Sequence, residues 1–207
     1  MITVDQARPY YLEDGGTAHA FDHVLRVTAL AHQIAQAEGA DVAIVRAAAL
    51  LHDLASDGPQ REVHHLVGAQ RALEILAHLG VPEGQAAAVA HCIRSHRFRV
   101  PEDAHQTLEA MCLYDADKLD AIGAVGIARA FVHGARLGQP MWAPVSAEFV
   151  AGLATGERHS AHHEYHTKLV KIKDRLYTPT GRQIAAGRHL FMAGFFERMT
   201  LEIAGLE

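Results

Sequence analysis

Cysteine is almost missing from this chain: the two that occur, Cys92 and Cys112, stand alone and neither lies in a CxxC pair. A disulfide framework is thereby excluded, and both thiols are expected buried and reduced. No stretch approaches the ~20 unbroken apolar residues that span a bilayer. The opening segment MITVDQARPYYLEDGG lacks the basic-then-apolar order of a secretory signal, so the expected location is the cytoplasm. Positive charge is not in excess either. A net charge of -5 argues against a general nucleic-acid binder, which carries a basic footprint. Low-complexity tracts, internal repeats and a convincing strand alternation are also absent.

What is there describes an ordinary globule of 207 residues, 49% of them hydrophobic, enough for one well-cored domain. The expectation is a single domain over 1–207. Charge is unevenly spread. Between Lys168 and Arg198 lie seven basic residues and two acidic ones, a balance of +5 that leaves -10 for the remainder. Such a segment suits closure over a phosphorylated substrate, and equally a solvated helix face. Histidine is the other outlier, with 16 copies scattered along the chain.

Helical signals run nearly throughout. From Ala18 to Ala37, apolar residues at Val24, Val27, Leu30, Ala31 and Ile34 keep a 3.6-residue period, and His23 shares their stripe, so it should face the core. Gly39 stops that helix and Asp41 caps a second, through Leu54, which is apolar almost all round and therefore central. Further helices are expected at 64–79, 83–96, 106–135 with room for an interruption, 146–153, 159–176 and 180–204. Short turn-forming joints separate them. The fold class is all-α, a compact bundle of roughly seven to nine helices.

Within that frame the doublet His52-Asp53, in ALLHDLA, is out of place, because burying an imidazole beside a carboxylate is costly unless both are compensated. A divalent cation would compensate them. With His23 and an acidic residue of YDADKLDAIG, where composition and periodicity do not separate Asp115 from Asp117, the set becomes two imidazoles and two carboxylates from three helices. That mixture suits one transition-metal ion, Mn²⁺, Fe²⁺, Co²⁺, Ni²⁺ or Zn²⁺, better than Mg²⁺. Four ligands on an ion that accepts six leave positions for water and substrate. Ala121, Ala124 and Ala128 are expected on the helical face of Asp117, a small-residue stripe that permits close helix approach.

The order His, His-Asp, Asp resembles the HD-domain superfamily of metal-dependent phosphohydrolases. The segments from His19 to Ala55, VAHCIRSHRF, YDADKLDAIGAVGIARAF and EYHTKLVKIKDRLYTPTGRQIAAGRHLFMAGFF are similar to a bacterial subgroup of small stand-alone HD hydrolases, over most of the chain. The resemblance implies metal ligation by His23, His52, Asp53 and Asp117, and a substrate-phosphate contact from Lys118. Its activity would be metal-assisted hydrolysis of nucleotides, with pyrophosphate released from (deoxy)nucleoside triphosphates, Asp53 taking part in the chemistry as well as in ligation. Arg26 is a second candidate for phosphate, or else a salt bridge to a neighbouring helix. His91 and His96 match the active-site wall, as general acid or second-metal ligand; five residues apart, only one of them should point inward. His64 and His65 could supply a second metal as in binuclear relatives, or lie on the surface, and His65 joins Lys168 among the candidate substrate contacts. His19, followed here by Ala20 where relatives carry an acidic residue, keeps no role that needs a partner carboxylate. Asp115 and Asp120 would orient Asp117, and His159, His162, His163 and His166 read as a polar helix face, with His166, Lys168 and Lys171 turned toward substrate.

The implied partner is a small phosphorylated molecule, with no stable nucleic-acid or membrane association; monomer and homodimer both stay open. Three alternatives remain at this stage: a 5'-nucleotidase-type phosphomonoesterase, a di-iron oxygenase on the same scaffold, and a non-enzymatic nucleotide sensor.

Overall fold

The computed structural model describes residues 1–12, 21–54, 61–97 and 106–206, and every regular element among them is helical. The principal helices are α1 (Phe21–Glu38), α2 (Val42–Leu51), α3 (His64–His78), α4 (Glu83–Ser95), α5 (Leu108–Leu119), α6 (Gly123–Arg136) and α7 (Pro179–Ile203). The all-α class is therefore observed. Contacts group the chain into two compact units, Met1–Lys118 with Leu176–Gly181, and Leu119–Arg175 with Arg182–Glu207.

In the first unit α2 is the central helix, as its composition requires. Val45, Ala47, Ala48, Ala49, Leu50 and Leu51 are all buried, packed against α1 and α4, and α3 lies on α4. Each fully buried leucine contributes about 1.5–3 kcal/mol relative to an exposed one. The Asp41 carboxylate accepts from the amides of Ala43 and Ile44 at 2.9 and 3.1 Å, satisfying donors that the helix leaves orphaned. On α1 the buried stripe is His23, Val24, Val27, Thr28, Ala31, Ile34 and Ala35, so His23 does face the core. Cys92 and Cys112 are buried free thiols, each pushed up to about 12 chiefly by burial.

The long helix expected over 106–135 divides in two. α5 ends at Leu119, and α6 begins at Gly123, whose φ of +77° is a left-handed conformation that glycine adopts without strain. Ala121 precedes the new helix and Ala124 and Ala128 lie within it, so the small-residue stripe expected on the face of Asp117 does not form. In the second unit the 159–176 segment is a succession rather than one helix: a helical turn Ala161–Glu164, a π-helical turn Tyr165–Leu169 and a further turn Val170–Ile172. Phe196 of α7 stacks on Tyr165, their centroids 4.4 Å apart.

Candidate functional site

Residues far apart in sequence meet inside the first unit. His23 lies in the first turn of α1, His52 caps the C-terminus of α2 with Asp53 next to it, and Asp117 lies near the end of α5. From His23 Nε2 the distances are 3.3 Å to His52 Nε2, 3.5 Å to Asp117 Oδ1 and 3.7 Å to Asp53 Oδ2. From His52 Nε2 they are 3.8 Å to Asp53 Oδ2 and 4.0 Å to Asp117 Oδ1. Atoms bound to one ion at about 2.0–2.2 Å lie about 3–4 Å from each other, so the two imidazole nitrogens have the spacing of coordination neighbours to each other and to each carboxylate.

The hydrogen positions point the same way. His52 Nδ1 is 2.8 Å from Ala49 O, and a carbonyl only accepts, so Nδ1 carries the proton and Nε2 of the neutral ring presents a lone pair. His96 repeats the device: it caps α4, and its Nδ1 donates to Ile93 O at 2.5 Å. His96 Nε2 is thus also a lone pair, 3.2 Å from His64 Nε2, while His64 Nε2 is 4.0 Å from the second oxygen of Asp53. Asp53 therefore faces two histidine pairs, His23 with His52 through Oδ2 and His64 with His96 on the other side; His23, His52 and Asp53 could hold a metal, and so could Asp53, His64 and His96.

Charges are distributed accordingly. Burial pushes the His96 imidazole down to about 3 and lowers that of His52, so both are neutral and ligand-competent. Burial alone would raise the Asp117 carboxyl, but the Lys118 ammonium, the hydrogen bond from His23 and the imidazoles beside it hold it well below the usual carboxylate range. Lys118 Nζ donates to Asp117 Oδ2 at 2.5 Å, leaving Oδ1 to the histidines. His52 is fully buried and His23 is 2% exposed, whereas Lys118, Asp117 and His64 are 13, 15 and 16% exposed. The centre is open on that side.

Comparison with known proteins places these residues in a lineage. A profile of the HD domain matches residues 20–122. The protein YpgQ of Bacillus subtilis (strain 168) is 34% identical over 199 residues, which is 95% of this chain and 90% of that one. The chain belongs to the HD-domain family. Crystalline YpgQ in complex with ADP superposes with a TM-score of 0.77 at 30% identity, covering 99% of this chain and 100% of its own. An HD-superfamily hydrolase from Bacillus thuringiensis gives 0.74 at 29% identity, covering 97 and 96%. The fold and the enzyme class are those of the metal-dependent HD hydrolases.

The HD turn is fastened by two residues that the sequence did not single out. Tyr11 donates its hydroxyl to Leu50 O at 2.9 Å, and Arg71 donates to Leu54 O at 2.5 Å, pinning the backbone on either side of His52 and Asp53. Gly68 of α3 lies against the turn, where an added Cβ would make only an ordinary contact, 3.5 Å from His52 O. Of the two adjacent histidines on α3 it is His64, not His65, that meets the centre. His65 is half-exposed, its ring 5.7 Å from that of His64. Of His91 and His96 only the second points inward. His91 is half-buried, with its Nε2 buried and lacking a hydrogen-bond partner.

Other expected contacts resolve differently. Arg26 bonds Asp22 at 2.6 Å within its own helix. Asp115, fully buried, accepts from Tyr177 N at 2.9 Å, Thr178 N at 2.8 Å and Thr178 Oγ1 at 2.7 Å, anchoring the 176–181 segment. Asp120, also buried, pairs with Arg129 at 2.6 Å. Lys168 belongs to the second unit, exposed and bonded to Glu164 at 2.7 Å. The histidine cluster is not a polar face, since His162 and His163 are buried. His19 and Ala20 lie outside the described residues, and among those described no helix is long and apolar enough to cross a membrane.

Proposed function

We propose that the chain is a metal-dependent nucleotide phosphohydrolase that converts nucleoside triphosphates, deoxynucleotides among them, to monophosphates with release of pyrophosphate. The observation that carries the proposal is the convergence of two imidazoles and two carboxylates, with each imidazole Nε2 3.3–4.0 Å from the other and from both carboxylates and a lysine fastened to one of those carboxylates on the open side. His23, His52, Asp53 and Asp117 would hold one divalent transition ion, Mn²⁺, Fe²⁺, Co²⁺, Ni²⁺ or Zn²⁺. When bound, such an ion supplies Lewis acidity toward a phosphoryl oxygen and makes water a nucleophile near neutral pH.

The chain's own residues do the rest. Asp117 splits its two oxygens between the histidines and Lys118, so the Lys118 ammonium is held beside the reacting phosphate, where it neutralises charge on the equatorial oxygens. His96, with its proton committed to Ile93 O, serves at Nε2 as an acceptor or ligand rather than as an acid. His64, more exposed, is the residue of that pair placed to meet substrate. The ADP held by YpgQ supports a nucleotide as the substrate class.

A second reading has its own observation. Asp53, His64 and His96 could hold a second ion beside the first, making a two-metal hydrolase centre. One experiment addresses both: the stripped protein is loaded with each ion, its bound metal is counted, and it is assayed against nucleoside mono-, di- and triphosphates with products separated by chromatography. Pyrophosphate from triphosphates at one ion per chain supports the first reading. Two ions per chain would support the second, and orthophosphate from monophosphates would make the enzyme a nucleotidase. No turnover with any ion would overturn the proposal.

A further inference from the structure

The second unit contains a histidine pair that the function above does not use. His162 lies in the helical turn Ala161–Glu164 and His166 in the π-helical turn that follows, with their Nε2 atoms 3.0 Å apart. His162 Nδ1 donates to Ala143 O at 3.2 Å, which leaves the lone pair of the neutral ring on Nε2, facing His166. Trp142 stacks on the His162 ring at 5.5 Å and Phe196 at 6.0 Å, so its orientation is set by packing as well as by that hydrogen bond.

The spacing has a specific coordination meaning. Two nitrogens 3.0 Å apart, each bound to an ion at about 2.0–2.1 Å, subtend about 91–97° at the metal. That is the cis angle of a square-planar or octahedral centre, a geometry of Cu²⁺ and Ni²⁺. The π turn is a second pointer, since such turns are rare and concentrate at functional sites. Burial, together with the imidazoles of His162 and His163, lowers the His166 pKa, which keeps that ring neutral and able to bind metal. Nearby polar atoms are not closed among themselves either: Trp142 Nε1 and His159 Nδ1 are buried without a hydrogen-bond partner.

We propose that His162 and His166 form a second transition-metal site, taking one Cu²⁺- or Ni²⁺-type ion with water completing its shell, distinct from the HD centre in every ligand. A plain hydrogen bond between the two rings fits the same distance, and the test separates the two accounts. Trp142 is the chain's sole tryptophan and stacks on a proposed ligand, so its fluorescence reports the site. The full-length protein and its Asp53→Ala variant, which removes the first centre, are titrated with CuCl₂ or NiCl₂.

Saturable quenching is expected in both proteins, at one ion per chain in Asp53→Ala, with half-saturation at least tenfold weaker in His166→Gln. Ni²⁺-induced broadening of the His162 and His166 ring resonances reads the same site in the unsubstituted protein. Absence of quenching, quenching unchanged in His166→Gln, its loss in Asp53→Ala, or broadening confined to other histidines would each overturn the assignment.

Discussion

Asp115 and Asp117 stand two residues apart on α5, and the structure gives them opposite duties that a pair of substitutions separates. In Asp115→Asn the amide keeps one accepting oxygen and replaces the other with a donor. The least harmful orientation leaves the oxygen on the Thr178 amide and hydroxyl and turns the NH₂ toward Tyr177 N, so one hydrogen bond to a buried charge is lost and two donors meet face to face. A bond to a charged group contributes about 1.5–3 kcal/mol and a stranded buried donor costs about 1–3 kcal/mol. Less charge to desolvate offsets part of that sum, leaving a destabilisation of about 3 kcal/mol. In a chain of this length that lowers Tm by about 6–12 °C.

Thermal melts followed by circular dichroism measure the shift, and mass spectrometry of the dialysed, metal-loaded protein counts the ion, which should stay at wild-type content. Asp117→Asn should differ in the metal readout, losing the ion that Asp115→Asn keeps. Gly181→Ala approaches the Asp115 contact from the other side, because a Cβ there would fall 2.3 Å from Asp115 Oδ2, and it should lower Tm without touching metal content. An Asp115→Asn protein that melts normally but has lost its ion would refute the reasoning.

Asp53→Ala should abolish both metal content and hydrolysis while the helical circular-dichroism signal persists, and full activity in that variant would remove the site assignment. Lys118→Ala should keep its ion and lose substrate affinity or turnover, so unchanged kinetics would take Lys118 out of the mechanism. Acidity should act on the metal-free protein in a defined direction: the buried His52 and His96 have depressed pKa values, so the unfolded chain takes up protons near pH 6.5 that the native state refuses. Their stabilisation is fully present above about pH 6.5 and is lost as pH falls, continuing toward about 3 for His96, with Asp117 adding the same sign below about 3.9. Urea midpoints at pH 7.5, 6 and 5 should fall in that order, and a flat series would contradict the burial argument. An oxygenase reading would need a visible absorbance in the iron-loaded protein, and a colourless loaded enzyme that turns over nucleotides disposes of it.

Much of this was readable from residue order because helices announce themselves locally. Periodicity, the Asp41 cap and the Gly39 stop fall where the chain turns, and His23, His52 and Asp53 stand out against apolar stripes. What was not readable depends on rotation about a helix axis or on distant partners. His64 and His65 differ by about 100° of rotation at the start of a helix, and Asp115 and Asp117 by about 200°; only packing decides which of each pair faces the centre. The resemblance chose Asp117, but nothing local showed that Asp115 would be claimed by backbone amides 62 and 63 residues away. The histidine run 159–166 read as a polar face because its burial rests on Trp142 and Phe196 and on a π turn, none of which leaves a periodic signal.

His52 and His96 each terminate a helix and each return a ring N–H to a carbonyl three residues back, so the group that ends the helix is the group that would face the proposed ion. Helix ends are where native proteins open first. Fraying of the last turn of α2 would swing its ligand away from the centre, and an ion held by that ligand opposes the fraying. Ion escape and local opening become one event seen from two sides. On the proposed ligation, the stability of two short hydrogen bonds at helix ends would set how long the enzyme keeps its metal, a property that residues well away from the ion can tune.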